Sequence, residues 1–466
     1  MQTLDMALIY KLYMRKNKYF KKKHPVFLYI ISLILIIANY YVLCDLYVKI
    51  VYPIFNFGDM SYDPRGNRLF EIFLLLLTAV ILPQKIKEPS DIYNWIYFII
   101  LIIPASVLSV EQGSNRFHFF LMTAALWMLI LIQYLIKAIL KNRTVEINMG
   151  YKYLPYRSVL FIIIITLVFL VLQVRGEFNF NISEVYAYRF DISSNMPFAL
   201  RYLLSIAAIS LVGYCSALAL HRKDFKLLFL IVITGVLYFG FSSHKAMLFY
   251  PLAVIALYYV LKLPRPHLII IICICVLSVV TIIFTSDEFL TLGSMFANRI
   301  IFLPNQINFH YFDYFSSNPH MLWAESKISF GLLESELPMS VMNYIGGLMT
   351  GDYDVGANTG WVANAYMNAG IIGISLYAVI VSFLYFLIDH WSKIYGMRFV
   401  CSAFLIPVTT FIMSSDLLIT LLTGGLIFLL LIFEVTTFNI RLRGKMHNTP
   451  QRVDKGVEKV RIKNGI

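Results

Sequence analysis

Apolar residues fall along this chain in runs of about bilayer-spanning length, separated by shorter polar stretches. The pattern predicts twelve helical spans, at 25–47, 69–83, 92–110, 118–138, 158–174, 196–220, 227–242, 246–262, 267–285, 368–388, 399–414 and 417–435. Several are short enough to imply kinks or re-entrant ends. The first run is long and no small-residue cleavage site follows it, so it reads as a true span rather than a removable signal. The expected fold class is an all-α polytopic membrane protein. No tandem repeat is visible, and the two six-span halves do not resemble each other.

Between the spans the polar segments divide into two kinds. If both termini are cytoplasmic, the inner segments are 1–24, 84–91, 137–157, 221–226, 262–266, 389–398 and 436–466, and they hold most of the 39 Lys and Arg residues. The outer side is acidic and carries the two long loops, 175–195 and 286–367. The expected organisation is a basic N-terminus (1–24), nine helices with one outer loop (25–285), a large outer loop (286–367), three helices (368–435) and a basic tail (436–466). Within the large loop, "TLGSMFANRIIFLP" and "ESELPMSVMNYIGGLM" have helix-like apolar spacing and predict short amphipathic helices.

Composition agrees with this map. Of 466 residues, 59% are hydrophobic and 14% charged, and mean hydropathy is +0.73. Soluble domains carry about a quarter charged residues. The net charge of +13 comes largely from the inner segments, so it is explained by orientation and attraction to anionic lipid, not by nucleic acid. The five cysteines lie in or beside spans without zinc spacing and read as small apolar packers.

Several polar residues sit where a membrane chain places chemistry. Arg189 in "EVYAYRF", Arg201 in "MPFALRYLL" and Arg299 in "ANRIIFLP" lie near outer span ends, with Lys245 in "SSHKAMLFYP". Arginine forks suit phosphate oxygens; the alternatives are pairing with local carboxylates and, for Lys245, snorkelling to the interface. "NFHYFDYFSSNPH" interleaves His310, Tyr311 and Asp313, a mixture that suits sugar faces and hydroxyls, or an interfacial aromatic belt. His310, Asp313 and, more weakly, Glu325 are candidate general bases. Asp416 is either a functional carboxylate or the N-cap of the twelfth span. "GDYDVGANTGWVANAYMNAGIIG" (351–373) packs Asn358, Trp361, Asn364 and Tyr366 among five glycines. A capped, tightly packed helix entry explains its glycines better than its density of Asn, Trp and Tyr.

The segment "GANTGWVANAYMNAGIIGISLYAVIVSFLYFLID" resembles the hallmark region of bacterial oligosaccharide repeat-unit polymerases, the O-antigen polymerase (Wzy) family. The likeness extends, in order, to "EVYAYRF", "SSHKAMLFYPL", "ANRIIFLPNQINFHYFDYFS" and "SSDLLITLL", and covers roughly residues 180–425. It implies an architecture similar to C-type glycosyltransferases and O-antigen ligases. It also implies transfer of a glycan from undecaprenyl diphosphate to the non-reducing end of another lipid-linked repeat unit, outside the inner membrane. On that reading Arg189, Arg201, Lys245 and Arg299 hold the diphosphate. His310, Asp313 and Glu325 are the candidate catalytic groups, and Tyr311, Asn358, Trp361, Asn364, Tyr366 and Asp416 meet the glycan. No cofactor and no metal are expected. The expected partners are lipid-linked donor and acceptor, membrane lipids and a chain-length regulator, with no nucleic acid. The rival readings are an O-antigen ligase and a non-enzymatic flippase or transporter of lipid-linked oligosaccharide.

Overall fold

The computed structural model describes residues 25–55, 59–113, 116–140, 155–178, 196–285, 290, 293–326 and 329–447. Among these residues every regular element is a helix. In chain order the helices are α1 (Pro25–Leu46), α2 (Arg68–Ile81), α3 (Pro89–Glu111), α4 (Arg116–Leu140), α5 (Arg157–Gln173), α6 (Phe198–Arg222), α7 (Phe225–Ser242), α8 (Lys245–Val260) and α9 (Pro266–Phe284). They continue with α10 (Leu303–Ser317), α11 (Val341–Thr350), α12 (Trp361–Tyr395), α13 (Met397–Ala403), α14 (Leu405–Met413), α15 (Leu417–Leu422) and α16 (Leu426–His447).

A helix occupies each of the twelve apolar segments. Seven helices among the described residues are long and apolar enough to cross a membrane: Tyr29–Ile54, α3, α4, α6, α7, α9 and α12. Helices α5, α8 and the apolar part of α16 are shorter. The eleventh segment is split at Phe404 into α13 and α14, and the twelfth at Thr423–Gly425 into α15 and α16. The chain is a helical membrane-embedded protein.

Its apolar surface supports this. Ile371, Ile372, Leu376, Val379 and Phe383 of α12 are all exposed, as are Leu131, Leu135 and Ile139 of α4. Such faces are at home against lipid tails, not water. Inside, α4 packs along α12, α9 lies on α1, and α6 gathers α7, α8 and α13 around it. Trp95, Trp361, Trp391, Tyr377 and Tyr385 are fully buried in this core.

The long segment 286–367 is structured where it is described. The first amphipathic segment is a π-helix, Gly293–Phe302, that runs directly into α10. The second is helical only over α11. Ser340 caps that helix, accepting a hydrogen bond from Asn343 N (3.3 Å), and Pro338 stands just before the cap, so residues 334–340 stay outside it.

The most consequential feature is a break in α12. Ala369 (φ −155°, ψ 31°) and Gly370 (φ 58°, ψ −139°) leave helical geometry, so a short helix to Asn368 is set against a long one from Ile371. Gly370 occupies a backbone region open essentially only to glycine, and a Cβ there would come within 2.9 Å of His320 Nε2. We expect Gly370→Ala to destabilise the protein by about 1–3 kcal/mol, read as a lowered unfolding midpoint in detergent. An unchanged midpoint would mean that the break relaxes without strain.

Candidate functional site

Breaking a helix frees carbonyls, and in an apolar bundle they must find donors. Here residues 321–323 supply them. Met321 N–H donates to Met367 O (2.9 Å) and Leu322 N–H to Asn368 O (3.0 Å). Asn368 completes the splice with its side chain: Oδ1 accepts from Trp323 N–H (2.8 Å) and Nδ2 donates to Asn364 O (2.8 Å). One turn earlier, Asn364 Nδ2 donates to Thr359 O (2.8 Å) and Gly360 O (3.0 Å). The density of asparagine in this stretch is therefore first a way of binding loop to helix.

Around the splice lies a cavity of about 370 Å³. Tyr311 of α10, Glu325, the start of α11, residues 357–359, Asn364 and Asn368 of α12, and Ser415–Asp416 with α15 form its walls. The polar wall is braced from behind. Tyr311 Oη donates to Ala357 O (3.0 Å) and Thr359 Oγ1 to Asn308 Oδ1 (2.6 Å). Glu325 Oε1 accepts from Val341 N–H (2.8 Å). Leu418, Ile419 and Leu422 of α15 add apolar lining, and Ile419 and Leu422 are also exposed on the surface of the bundle.

Electrostatically the cavity is acidic. Its described lining brings two carboxylates and no Lys or Arg. Asp416 caps α15, its Oδ2 accepting from Leu418 N–H (3.2 Å), while Oδ1 is buried without a hydrogen bond. Burial pushes its carboxyl up to about 6, against the pull of the Tyr377 hydroxyl and the backbone N–H groups of α15. Trp323 Nε1–H donates to that Tyr377 hydroxyl (3.1 Å). Glu325 is also raised: its carboxyl end is desolvated although the residue as a whole is exposed, and the Val341 N–H partly offsets this. The Tyr311 phenol is held above its ordinary value by burial, then by the charges of Glu325 and Asp416. A carboxyl raised towards neutrality, as that of Asp416 is, suits proton transfer to and from sugar hydroxyls.

The structure sorts the residues picked out by sequence. Tyr311, Glu325, Asn358, Asn364 and Asp416 line this one cavity. His310 and Asp313 do not join them. On α10, His310 sits beside Gln306 Nε2 (3.3 Å) and Asp59 (3.9 Å), and Asp313 pairs with the buried His118 of α4 (3.1 Å). Helical rotation turns both away when Tyr311 faces the cavity. Trp361 and Tyr366 do not line this cavity. Trp361 is fully buried beside Tyr97, and Tyr366 is buried with its ring edge-on to Phe312 and His320.

The cations form a second group. Arg201 and His244 share a cavity of about 240 Å³ with Ser205, Ser242 and Tyr250, and Arg201 Nη2 donates to Met196 O (2.9 Å). Lys245 follows His244 and lies within electrostatic reach of Arg299, which is exposed on the π-helix. Arg189 lies outside the described residues. Along the chain Arg299 stands twelve residues before Tyr311, so the cations and the acidic cavity adjoin the two ends of one helical segment. Asn368, Thr359 and Ser415 line the cavity too and are not among the candidate site residues read from sequence. Asn364 and Asn368, one helical turn apart ahead of Ala369–Gly370, are the signal that could have found the splice. Among the described residues no cluster of three or more His, Cys, Asp or Glu is arranged to hold a metal.

Asp416→Asn tests the electrostatics. A carboxyl raised from 3.8 to about 6 by folding favours the folded state only while protonated. Its ionisation therefore costs stability progressively from about pH 4 to pH 6 and by a constant amount above. Asparagine caps as well as aspartate, so the variant should be more stable than the wild type at pH 7–8, by about 1–3 kcal/mol. The difference should vanish towards pH 4. Equal unfolding midpoints at both pH values would contradict the desolvation of this carboxyl.

No family model, curated protein or solved structure matches this chain.

Proposed function

We propose that the protein polymerises lipid-linked oligosaccharide repeat units, moving a glycan from undecaprenyl diphosphate to the non-reducing end of a second lipid-linked unit. The observation that carries this reading is the cavity's mixed chemistry. Its lining offers amide, hydroxyl and carboxyl groups, as sugars require, together with an apolar helix, α15, whose Ile419 and Leu422 are also exposed on the bundle's surface. A substrate with a sugar head and an isoprenoid tail matches both at once. The ordered sequence motifs support the same class.

On this reading the chain crosses the bacterial inner membrane twelve times, both termini are cytoplasmic, and the large loop lies in the periplasm. The cations Arg201, Lys245 and Arg299, with Arg189, take the donor's diphosphate. They stabilise the negative charge that grows on the leaving group as the anomeric carbon–oxygen bond breaks. Asp416 accepts the one proton of the attacking sugar hydroxyl, Glu325 hydrogen-bonds that hydroxyl, and Asn358, Asn364 and Tyr311 orient the sugar. His310 and Asp313 are assigned to positioning α10. Undecaprenyl diphosphate leaves, and the glycan grows by one block. A chain-length regulator remains an expected partner.

Surface glycan from a strain lacking the gene, complemented with variants, tests these roles. Arg299→Ala should accumulate to wild-type level yet give single repeat units in place of a ladder. Arg299→Lys should rescue poorly, because a point charge cannot fork two phosphate oxygens. Glu325→Gln or Asp416→Asn should cut polymer by about 10²-fold or more, the latter despite its greater stability. Normal ladders from Arg299→Ala and from both carboxamide variants would overturn the assignment.

A further inference from the structure

A second charged cavity lies at the far end of α12. Asp389 stands eighteen residues beyond Ile371, roughly 27 Å of helix at 1.5 Å per residue, close to the thickness of a hydrocarbon core. The two cavities therefore adjoin opposite membrane surfaces. This one, of about 480 Å³, is lined by Glu88, Tyr134, Lys137, Phe386, Asp389, His390 and Lys393, with Ala138 and Leu140. Its residues come from three segments that the charge pattern places on the inner side.

Its hydrogen bonding is lopsided. Lys137 Nζ uses all three of its N–H groups, on Glu88 (2.6 Å), Asp389 (2.7 Å) and Ser90 Oγ (3.1 Å). Asp389 is buried and also takes Ser90 N–H (2.9 Å) and Ser90 O–H (2.6 Å). Glu88 holds Lys137 with one oxygen and Lys393 with the other (3.2 Å). Every carboxylate oxygen in the wall is thus engaged by a donor. Lys393 spends one N–H on Glu88 and is half exposed, so two of its N–H groups are left for a ligand. Lys85, Lys87 and Asp91 stand on the other side of Glu88, so the neighbourhood holds four lysines against three carboxylates and favours an oxygen-rich anion at Lys393.

The surroundings select its source. Tyr134 and Ala138 line the cavity, and Leu131 and Leu135, at helical spacing on the same face of α4, are exposed. On α12, Phe386 lines it and the exposed Phe383 and Val379 continue that face. Two apolar faces thus lead from the bilayer into a donor-rich end. We propose that this cavity binds the phosphate of an anionic phospholipid of the inner leaflet, with Lys393 as its principal contact and the acyl chains along α4 and α12. The proposal does not depend on the polymerase reading.

Native mass spectrometry of the purified full-length protein, titrated with phosphatidylglycerol or phosphatidylcholine, tests it. The wild type should retain phosphatidylglycerol the more tightly. Lys393→Gln should weaken that retention about fivefold, Lys393→Arg should preserve it, and Lys226→Gln, in a different inner turn, should leave it unchanged. Equal retention of the two lipids, or a Lys393→Gln variant like the wild type, would overturn the site. Displacement of phosphatidylglycerol by equimolar inorganic phosphate would also overturn the lipid assignment, pointing to a free anion.

Discussion

Interrupting a helix inside an apolar bundle is tolerated only where the freed backbone groups find new partners, and the organisation of this protein follows from how α12 meets that demand. The break at Ala369–Gly370 would strand the carbonyls of Met367 and Asn368. The N–H groups of Met321 and Leu322 satisfy them, and Trp323 N–H binds the Asn368 side chain beside them. That splice anchors residues 321–323 to the broken helix. Glu325 follows within two residues of Trp323, and Asn358 and Thr359 precede the short helix. The cavity is the space this arrangement leaves between loop, broken helix and α15.

The same break explains why the site can be both polar and adjacent to lipid. The chain returns to a lipid-facing helix immediately after it, with Ile371 and Ile372 exposed. Breaks also surround the cavity's other wall: α15 has only six residues and ends at Thr423–Gly425. Short, interrupted helices place N-terminal donors and caps, such as Asp416 on α15, at a depth where a continuous helix would present only side chains. The long continuous part of α12 then carries the distance to the opposite surface, where Asp389, Lys137, Glu88 and Lys393 tie three helices together.

Much of this was legible in the sequence because hydrophobic run length is a strong signal in a membrane chain. All twelve apolar segments are helical. Five of the singled-out residues, Tyr311, Glu325, Asn358, Asn364 and Asp416, converge although they are spread over a hundred positions. What misled was side-chain direction. Trp361 and Tyr366 share the polar neighbourhood of Asn364 in sequence, but helical rotation sends them into the core. His310 and Asp313 flank Tyr311 and, for the same reason, face elsewhere. The break itself was hidden because Asn-Ala-Gly inside an apolar run reads equally well as tight helix packing; only the partners from 321–323 make it a splice. The Lys137–Asp389 pair was hidden because opposite charges at the ends of distant spans reveal nothing of their proximity until the spans are packed.

The central claim is that the cavity serves glycan transfer from a polyprenyl diphosphate. It is tested most directly with purified protein in vesicles, supplied with a synthetic undecaprenyl-diphosphate-linked repeat unit and followed by mass spectrometry of the lipid extract. The account predicts a doubled glycan on one lipid together with an equal amount of free undecaprenyl diphosphate, and neither product from a protein carrying Glu325→Gln and Asp416→Asn. Intact single-unit lipid appearing in the opposite leaflet, with no new glycosidic bond and no released diphosphate, would contradict it and identify a transporter.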